Sequence, residues 1–271
     1  MDRKTAAVRQ RRGEKVLRPV WPNAGIEAEF RRKLLCLIDE MHRSFLYWIK
    51  AAYRADPPVM AQDATPAVQL RIAVNKLAKR WQKRFDDASK DLAKYFATAI
   101  NKRSDRALKA ILKKGGWSVE FKMSAAMKDI MKATIAEQVG LIRSIPQQYL
   151  VNVQGAVMRS VTAGRDLGPL AKEIEKQYGV TRRRAAFIAQ SQNNLATASM
   201  TRVRQQELGI KEAIWLHSGG GKKPRPSHVA NSGKRYNIAT GWFDPKVKRK
   251  IWPGELPRCR CVAKSVIKGF S

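Results

Sequence analysis

The last quarter of the chain holds three residues whose side chains could ligate a soft metal: His228, Cys259 and Cys261. Imidazole and thiolate are the donors that tetrahedral zinc prefers, and His217 offers a fourth. A Gly/Pro-rich segment as small as residues 209–271 also gains from such a staple, because it buries little apolar surface of its own. Two features run the other way. Cys-x-Cys is tighter than the usual zinc spacing, and on a regular strand its two sulfurs would face opposite sides. The alternative reading is packing: His228 bonded to a backbone carbonyl and one cysteine simply buried. Both readings require His228 to meet the Cys-Arg-Cys segment in space. The only carboxylates in this region are Glu212, Asp244 and Glu255, with none in paired spacing. A magnesium-dependent nuclease needs such pairs. The chain also carries no P-loop and no nucleophile elbow, so it reads as a non-enzyme.

The chain has 271 residues, 44% of them apolar, and a formal net charge of +32. That leaves room for a packed core and demands a polyanionic partner. No apolar run approaches the roughly 18 residues of a membrane span. The first 18 residues hold seven Lys/Arg and no apolar core, so they read as a flexible basic arm over 1–20 rather than a secretory signal. Three cysteines are too few and too sparse for a disulfide framework, which points to a reducing compartment. Cys36, within a helical pattern, is expected to be a plain buried thiol. Basic clusters supply candidate DNA-phosphate contacts: Arg11 and Arg12; Lys79, Arg80, Lys83 and Arg84; Arg182 and Arg183; and Lys246, Lys248, Arg249 and Lys250. One such cluster is usually a solvated face, but four with few neighbouring acids favour backbone binding without sequence reading. Trp242 and Phe243 beside the last cluster are suited either to base stacking or to burial.

Most of the chain before these residues is periodic at helical spacing. Phe30, Leu34, Leu37, Met41, Phe45 and Trp48 form one stripe, ended by Asp56-Pro57-Pro58. Thr65-Pro66 opens a longer one through Leu70, Val74, Leu77, Trp81, Phe85, Ala88, Leu92, Phe96 and Ala99. Ser104 is expected to cap a new helix ending at Gly115-Gly116. Further helices are expected over about 118–142, 147–163, 168–178 and 181–208, with breaks at Pro146 and Gly179. After Gly209 the pattern changes, with strands expected over 213–216, 234–238 and 260–267. The fold class is α+β, mainly α: a long N-terminal helical bundle or hairpin, then a small mixed module. The expected divisions are 1–20, 21–164 and 165–271. Residues 209–271 alone hold 14 Lys/Arg against 3 Asp/Glu, a balance of about +11.

Residues from about Gly164 to Ile267 resemble the phage head morphogenesis family of phage Mu F-like minor head proteins. The residues that carry the resemblance are Arg184-Ala185, Ile188-Ala189, Gly209-Ile210, Trp215, Arg225-Pro226-Ser227-His228, Gly233, Tyr236, Pro253-Gly254 and Cys259-Arg260-Cys261. Their order and spacing are specific jointly. The sequence departs from the family at two points. Ser191-Gln192 stands where a Thr-Glu pair is usual, and Gly220-Gly221-Lys222-Lys223 stands where acids precede the Arg-x-x-His motif. Ionic or hard-metal roles of those acids therefore do not transfer.

The resemblance implies a low-copy protein of the phage head interior, associated with the portal protein. It would contact phage DNA, with the major capsid or scaffold protein as a further candidate partner, and act in assembly or in DNA packaging and ejection. The alternatives are a host nucleoid- or RNA-associated protein and, less favoured by the residues, a DNA-acting nuclease. Arg225 and Arg260 are expected either to order the tail by bonding carbonyls or a carboxylate such as Glu255, or to contact phosphate. Gln192 lies in the polar run 190–194 on the Ile188 and Leu195 face, which reads as a buried amide network.

Overall fold

The computed structural model describes residues 13–55, 64–163, 166–221 and 223–268. Among these, the chain is mainly helical with a small antiparallel β region near its C-terminus, as expected. The helices are α1 (Ala24–Ala55), α2 (Ala64–Lys114), α3 (Ala125–Thr162), α4 (Leu167–Glu207) and the short α5 (Pro226–Ala230). The strands are β1 (Glu14–Val16), β2 (Glu212–Leu216), β3 (Arg235–Asn237), β4 (Trp242–Asp244), β5 (Arg249–Ile251) and β6 (Val262–Lys268). No helix among the described residues is long and apolar enough to cross a membrane.

Two compact units are built from discontinuous segments. One draws on Met1–Glu27, Phe96–Thr134 and Gln190–Ser271, the other on Ala28–Tyr95 and Ile135–Ala189. These units are not the linear divisions at 20 and 164, because α1, α2, α3 and α4 each pass from one unit into the other.

Helices run through the expected breaks. Pro146 sits inside α3, where an interior proline costs about 3 kcal/mol. Ile142, Ile145, Tyr149 and Val153 are all buried around it. Each buried side chain of this size is worth about 1.5–3 kcal/mol, so the apolar face outweighs the proline. Gly179 is likewise interior to α4. Thr181 does not cap a new helix there; its hydroxyl donates back to the Gln177 carbonyl at 2.8 Å. Ser104 is buried within α2 rather than at a start.

The α1 stripe also differs in phase. Phe30, Leu34, Ile38, Met41, Phe45, Ile49 and Tyr53 are buried, while Trp48 is 49% exposed. The stripe advances mostly by four, and each such step turns about 40° beyond a full turn, so the buried face winds around the helix and by Ile49 and Tyr53 has moved off the side that carries Trp48. Cys36, on the outer side, is exposed rather than buried.

In this second unit an unforeseen polar cluster runs from buried His42 and Tyr149 out to the surface at Glu175 and Arg182. His42 stacks on Tyr178 at 4.0 Å, and its ring nitrogens lie 3.2 Å from the Tyr149 hydroxyl and 3.1 Å from Glu175. Tyr178 and Arg182 both donate to Asp39, at 2.9 and 2.5 Å.

The first unit contains the four-stranded sheet, in the order β1-β6-β2-β3, with every neighbouring pair antiparallel. β4 and β5 form a separate hairpin. Within the arm expected to be flexible over 1–20, the described residues from Gly13 onward pack against the sheet; Arg11 and Arg12 lie outside the described residues. Val16 pairs with Val266, Leu17 donates its N–H to Ser265 at 2.9 Å, and Leu17 and Val20 are buried. Arg235 on β3 grips Glu14 with bonds of 3.0 and 2.6 Å. Apolar residues at 17 and 20, invisible as a pattern in a stretch this basic, thus cover the sheet edge.

Candidate metal centre

His228 stands in α5, which opens at Pro226 and fills the connection between β2 and β3. The Cys-Arg-Cys segment precedes β6 and is not a strand. Arg258 takes a left-handed backbone conformation (φ 58°), and the Cys259 N–H closes a turn on the Leu256 carbonyl at 2.8 Å. Strand alternation therefore does not govern the two cysteines, and both sulfurs reach the same nitrogen. Cys259 Sγ lies 3.4 Å and Cys261 Sγ 3.6 Å from His228 Nδ1. The three donor atoms all lie within 4.8 Å of one another, and all three residues are buried.

His217 does not join them. Its Nδ1 accepts the Gly219 N–H at 3.1 Å within its own loop, and it is not one of the residues whose donor atoms converge. The residue that sequence reasoning missed is Asp244. It is fully buried on β4, with Oδ2 at 3.3 Å from His228 Nε2. That approach is close but too oblique for a well-formed hydrogen bond. The same Oδ2 accepts from the Ser227 hydroxyl at 3.3 Å, and Oδ1 accepts the Lys246 N–H at 2.8 Å. One carboxylate thus joins α5, the histidine and the turn of the basic hairpin. A buried aspartate in a chain of this charge was the available signal, but nothing in its spacing ties it to His228.

Aromatic rings wall the cluster. Trp215 is completely buried and meets His228 edge-on at 5.1 Å, Trp242 at 5.3 Å and Tyr236 at 6.1 Å. In this apolar setting the Cys261 thiol bonded to Cys259 holds the Cys259 sulfur below the ordinary thiol range. The same contact, with burial, pushes Cys261 up. Cys259, His228 and Asp244 also occur in the order nucleophile, base and orienting acid. His228 and Cys259 are only 2% and 3% exposed, however, so the sulfur is closed off from solvent.

The polar run on α4 receives the cysteine turn. Asn194 donates to the Cys259 carbonyl at 2.8 Å, the Ser191 hydroxyl accepts the Arg258 N–H at 3.1 Å, and Asn193 donates to the Asn23 carbonyl at 3.2 Å. With its oxygen toward the guanidinium, the Gln190 amide accepts from Arg260 Nε at 3.2 Å. Gln192 is buried. Arg225 donates to the Pro257 carbonyl at 2.9 Å, ordering the same turn from the other side. Glu255 is the partner of Arg249, at 2.5 Å, not of Arg225 or Arg260.

The turn fits α4 because Gly254 has no side chain. Its φ is 85°, and an added Cβ would sit 3.0 Å from Ala198 Cβ and 3.2 Å from the Asn194 carbonyl. Gly254→Ala is therefore expected to cost about 2–4 kcal/mol, combining left-handed strain with overpacking. Gly233 has a similar φ of 86° but open space around it, so Gly233→Ala should bear only the strain, about 1–2 kcal/mol. Urea unfolding followed by tryptophan fluorescence measures both; equal losses would show that contact with α4 is not what demands glycine at 254.

The family comparison falls on this region. Residues 151–264 match the family model described as phage Mu protein F like protein. The matched segment contains α4, the sheet strands β2 and β3, His228, Asp244 and both cysteines. A Haemophilus influenzae protein (strain ATCC 51907 / DSM 11121 / KW20 / Rd), described as an uncharacterized protein, is 33% identical over 145 residues. The alignment covers 54% of this chain and 31% of that protein, so the chain spans under a third of that relative's length. No solved structure matches the chain.

The basic clusters are unequally placed. Lys79, Arg80, Lys83 and Arg183 are exposed. Arg84 is paired with Glu40, Lys83 lies 3.4 Å from Asp87, and Arg182 is held by Asp39. On the β4–β5 hairpin, Lys246, Lys248, Arg249 and Lys250 are all exposed around a turn, beside Phe243 at 53% exposure. Trp242 is packed inward, so Phe243 is the ring available for stacking.

Proposed function

We propose that this chain is a phage head morphogenesis protein: a minor component of the virion interior, associated with the portal protein and contacting packaged DNA. The observation that carries the reading is the F-like match over residues 151–264 in a chain of net charge +32. The charge calls for a polyanion, and packaged DNA is one. The exposed cations of the β4–β5 hairpin and of α2 supply contacts to phosphate rather than to base edges, so binding is indifferent to sequence. The role is architectural. Among the described residues, the His228–Cys259–Cys261 cluster is buried, and its place is to hold the hairpin and the cysteine turn in position.

Quantitative mass spectrometry of purified particles tests the assignment. The expected result is a stoichiometry far below that of the major capsid protein, with cross-links to the portal. Absence from particles would overturn it, as would a copy number matching the shell.

A further inference from the structure

We propose that His228, Cys259 and Cys261 bind one zinc ion, through Nδ1 and two thiolates, with Asp244 positioning the imidazole from its far nitrogen. This inference is independent of the phage assignment and rests on three observations.

The first is the convergence of two sulfurs on one nitrogen, at 3.4 and 3.6 Å. An unprotonated Nδ1 has a single in-plane lone pair and accepts one S–H donor well. One sulfur can therefore donate to Nδ1 while the Cys261 thiol bonds to Cys259, but neither bond requires both sulfurs to close on the same nitrogen. A metal accounts for both. Zinc bonds of about 2.0–2.1 Å to nitrogen and 2.3 Å to sulfur, at tetrahedral angles, place the ligand atoms roughly 3.5–3.8 Å apart. The two nitrogen–sulfur spacings are already of that size, and all three donor atoms lie within 4.8 Å of one another, so small shifts let them enclose the ion.

The second is Asp244. Its carboxylate charge 3.3 Å from Nε2, though not aligned for a well-formed hydrogen bond there, electrostatically favours the tautomer with its proton on that side and leaves the Nδ1 lone pair directed at the sulfurs. Asp244 is across the ring from the cysteines and is not among the converging donors, so it supports the ligand rather than binding the metal.

The third is charge in a sealed site. His228, Cys259 and Cys261 are 2%, 3% and 4% exposed. Two buried thiolates are costly alone, but with Zn²⁺ they form a neutral set. Soft sulfur with imidazole selects zinc over magnesium or calcium. So bound, the metal fastens α5 to the cysteine turn and, through Asp244, fixes the base of the basic hairpin.

The test uses the full chain, purified under reducing conditions without chelator. Elemental analysis should find one zinc per chain. His228→Asn and Cys259→Ser should each reduce it to background, while Cys36→Ser, at an exposed thiol elsewhere, should not. Cobalt added to metal-stripped protein should give the intense near-ultraviolet band of thiolate-to-cobalt charge transfer, which needs no variant to fold. Asp244→Asn should retain the metal but bind it about 10–100-fold more weakly in competition with a chromophoric chelator. Failure of the wild-type chain to take up zinc and to show the cobalt band overturns the proposal. So does full zinc content in both the His228→Asn and Cys259→Ser proteins, or rapid alkylation of Cys259 in the zinc-loaded native chain, which would mark a free nucleophile.

Discussion

Arg204→Ala is expected to remove about 3 kcal/mol or more of stability, a large share of the roughly 5–15 kcal/mol of a typical domain. The Arg204 side chain is only 3% exposed. It donates to both Asp105 oxygens at 2.9 Å, to Glu207 at 2.7 Å and to the Lys122 carbonyl at 2.8 Å. Its guanidinium also sits 4.8 Å from the centre of the Phe121 ring. One side chain therefore joins α2, α4 and the connection between α2 and α3. Truncation leaves two carboxylates facing each other's field and a carbonyl without its donor. Asp105 retains 19% exposure, so water screens part of the loss and the lower end of the range applies. Arg204→Lys keeps the charge but not the fork and should recover less than half. Urea unfolding midpoints of the three proteins measure this; an alanine variant as stable as wild type would show that the pairs merely offset their own desolvation.

The second large effect is on DNA. Replacing Lys246, Lys248 and Lys250 together with alanine is expected to flatten the log–log salt dependence of duplex binding by about 3 and to weaken binding at 0.1 M salt by about 10²-fold. Each exposed lysine that neutralises one phosphate releases counterion worth about 0.9 in slope. Arg249 is left in place because Glu255 already engages it at 2.5 Å. Two unrelated duplexes should show the same slope and the same loss, since nothing in the hairpin is arranged as a bidentate reader of base edges. Fluorescence anisotropy across a salt series reads both quantities. An unchanged slope would remove the hairpin from the DNA interface, and a strong preference for one duplex would contradict backbone binding.

Much of the architecture was legible in the residues. Helical stripes such as Leu70, Val74, Leu77, Trp81 and Phe85 are local, and a 3.6-residue period needs no knowledge of the partner surface. The break in pattern after Gly209 marked where strands begin. Helix ends were less legible, because Pro146, Gly179 and Ser104 are weighed against tertiary burial that local propensity does not contain. The edge strand Glu14–Val16 was hidden for a related reason: its partner β6 lies some 250 residues away in sequence.

The sequence by itself determined the charge, the helical majority, the likeness to F-like head proteins and the identity of the metal-donor residues. These follow from residue type and from order along the chain. Only the tertiary structure decided which donors meet. It brought His228 to Cys259 and Cys261, left His217 bonded within its own loop, and placed Asp244 behind the imidazole. The physical reason is that convergence depends on backbone direction. The left-handed turn at Arg258 frees Cys-x-Cys from strand alternation, and Gly254 lets that turn lie against α4. Neither condition has a signature in spacing alone.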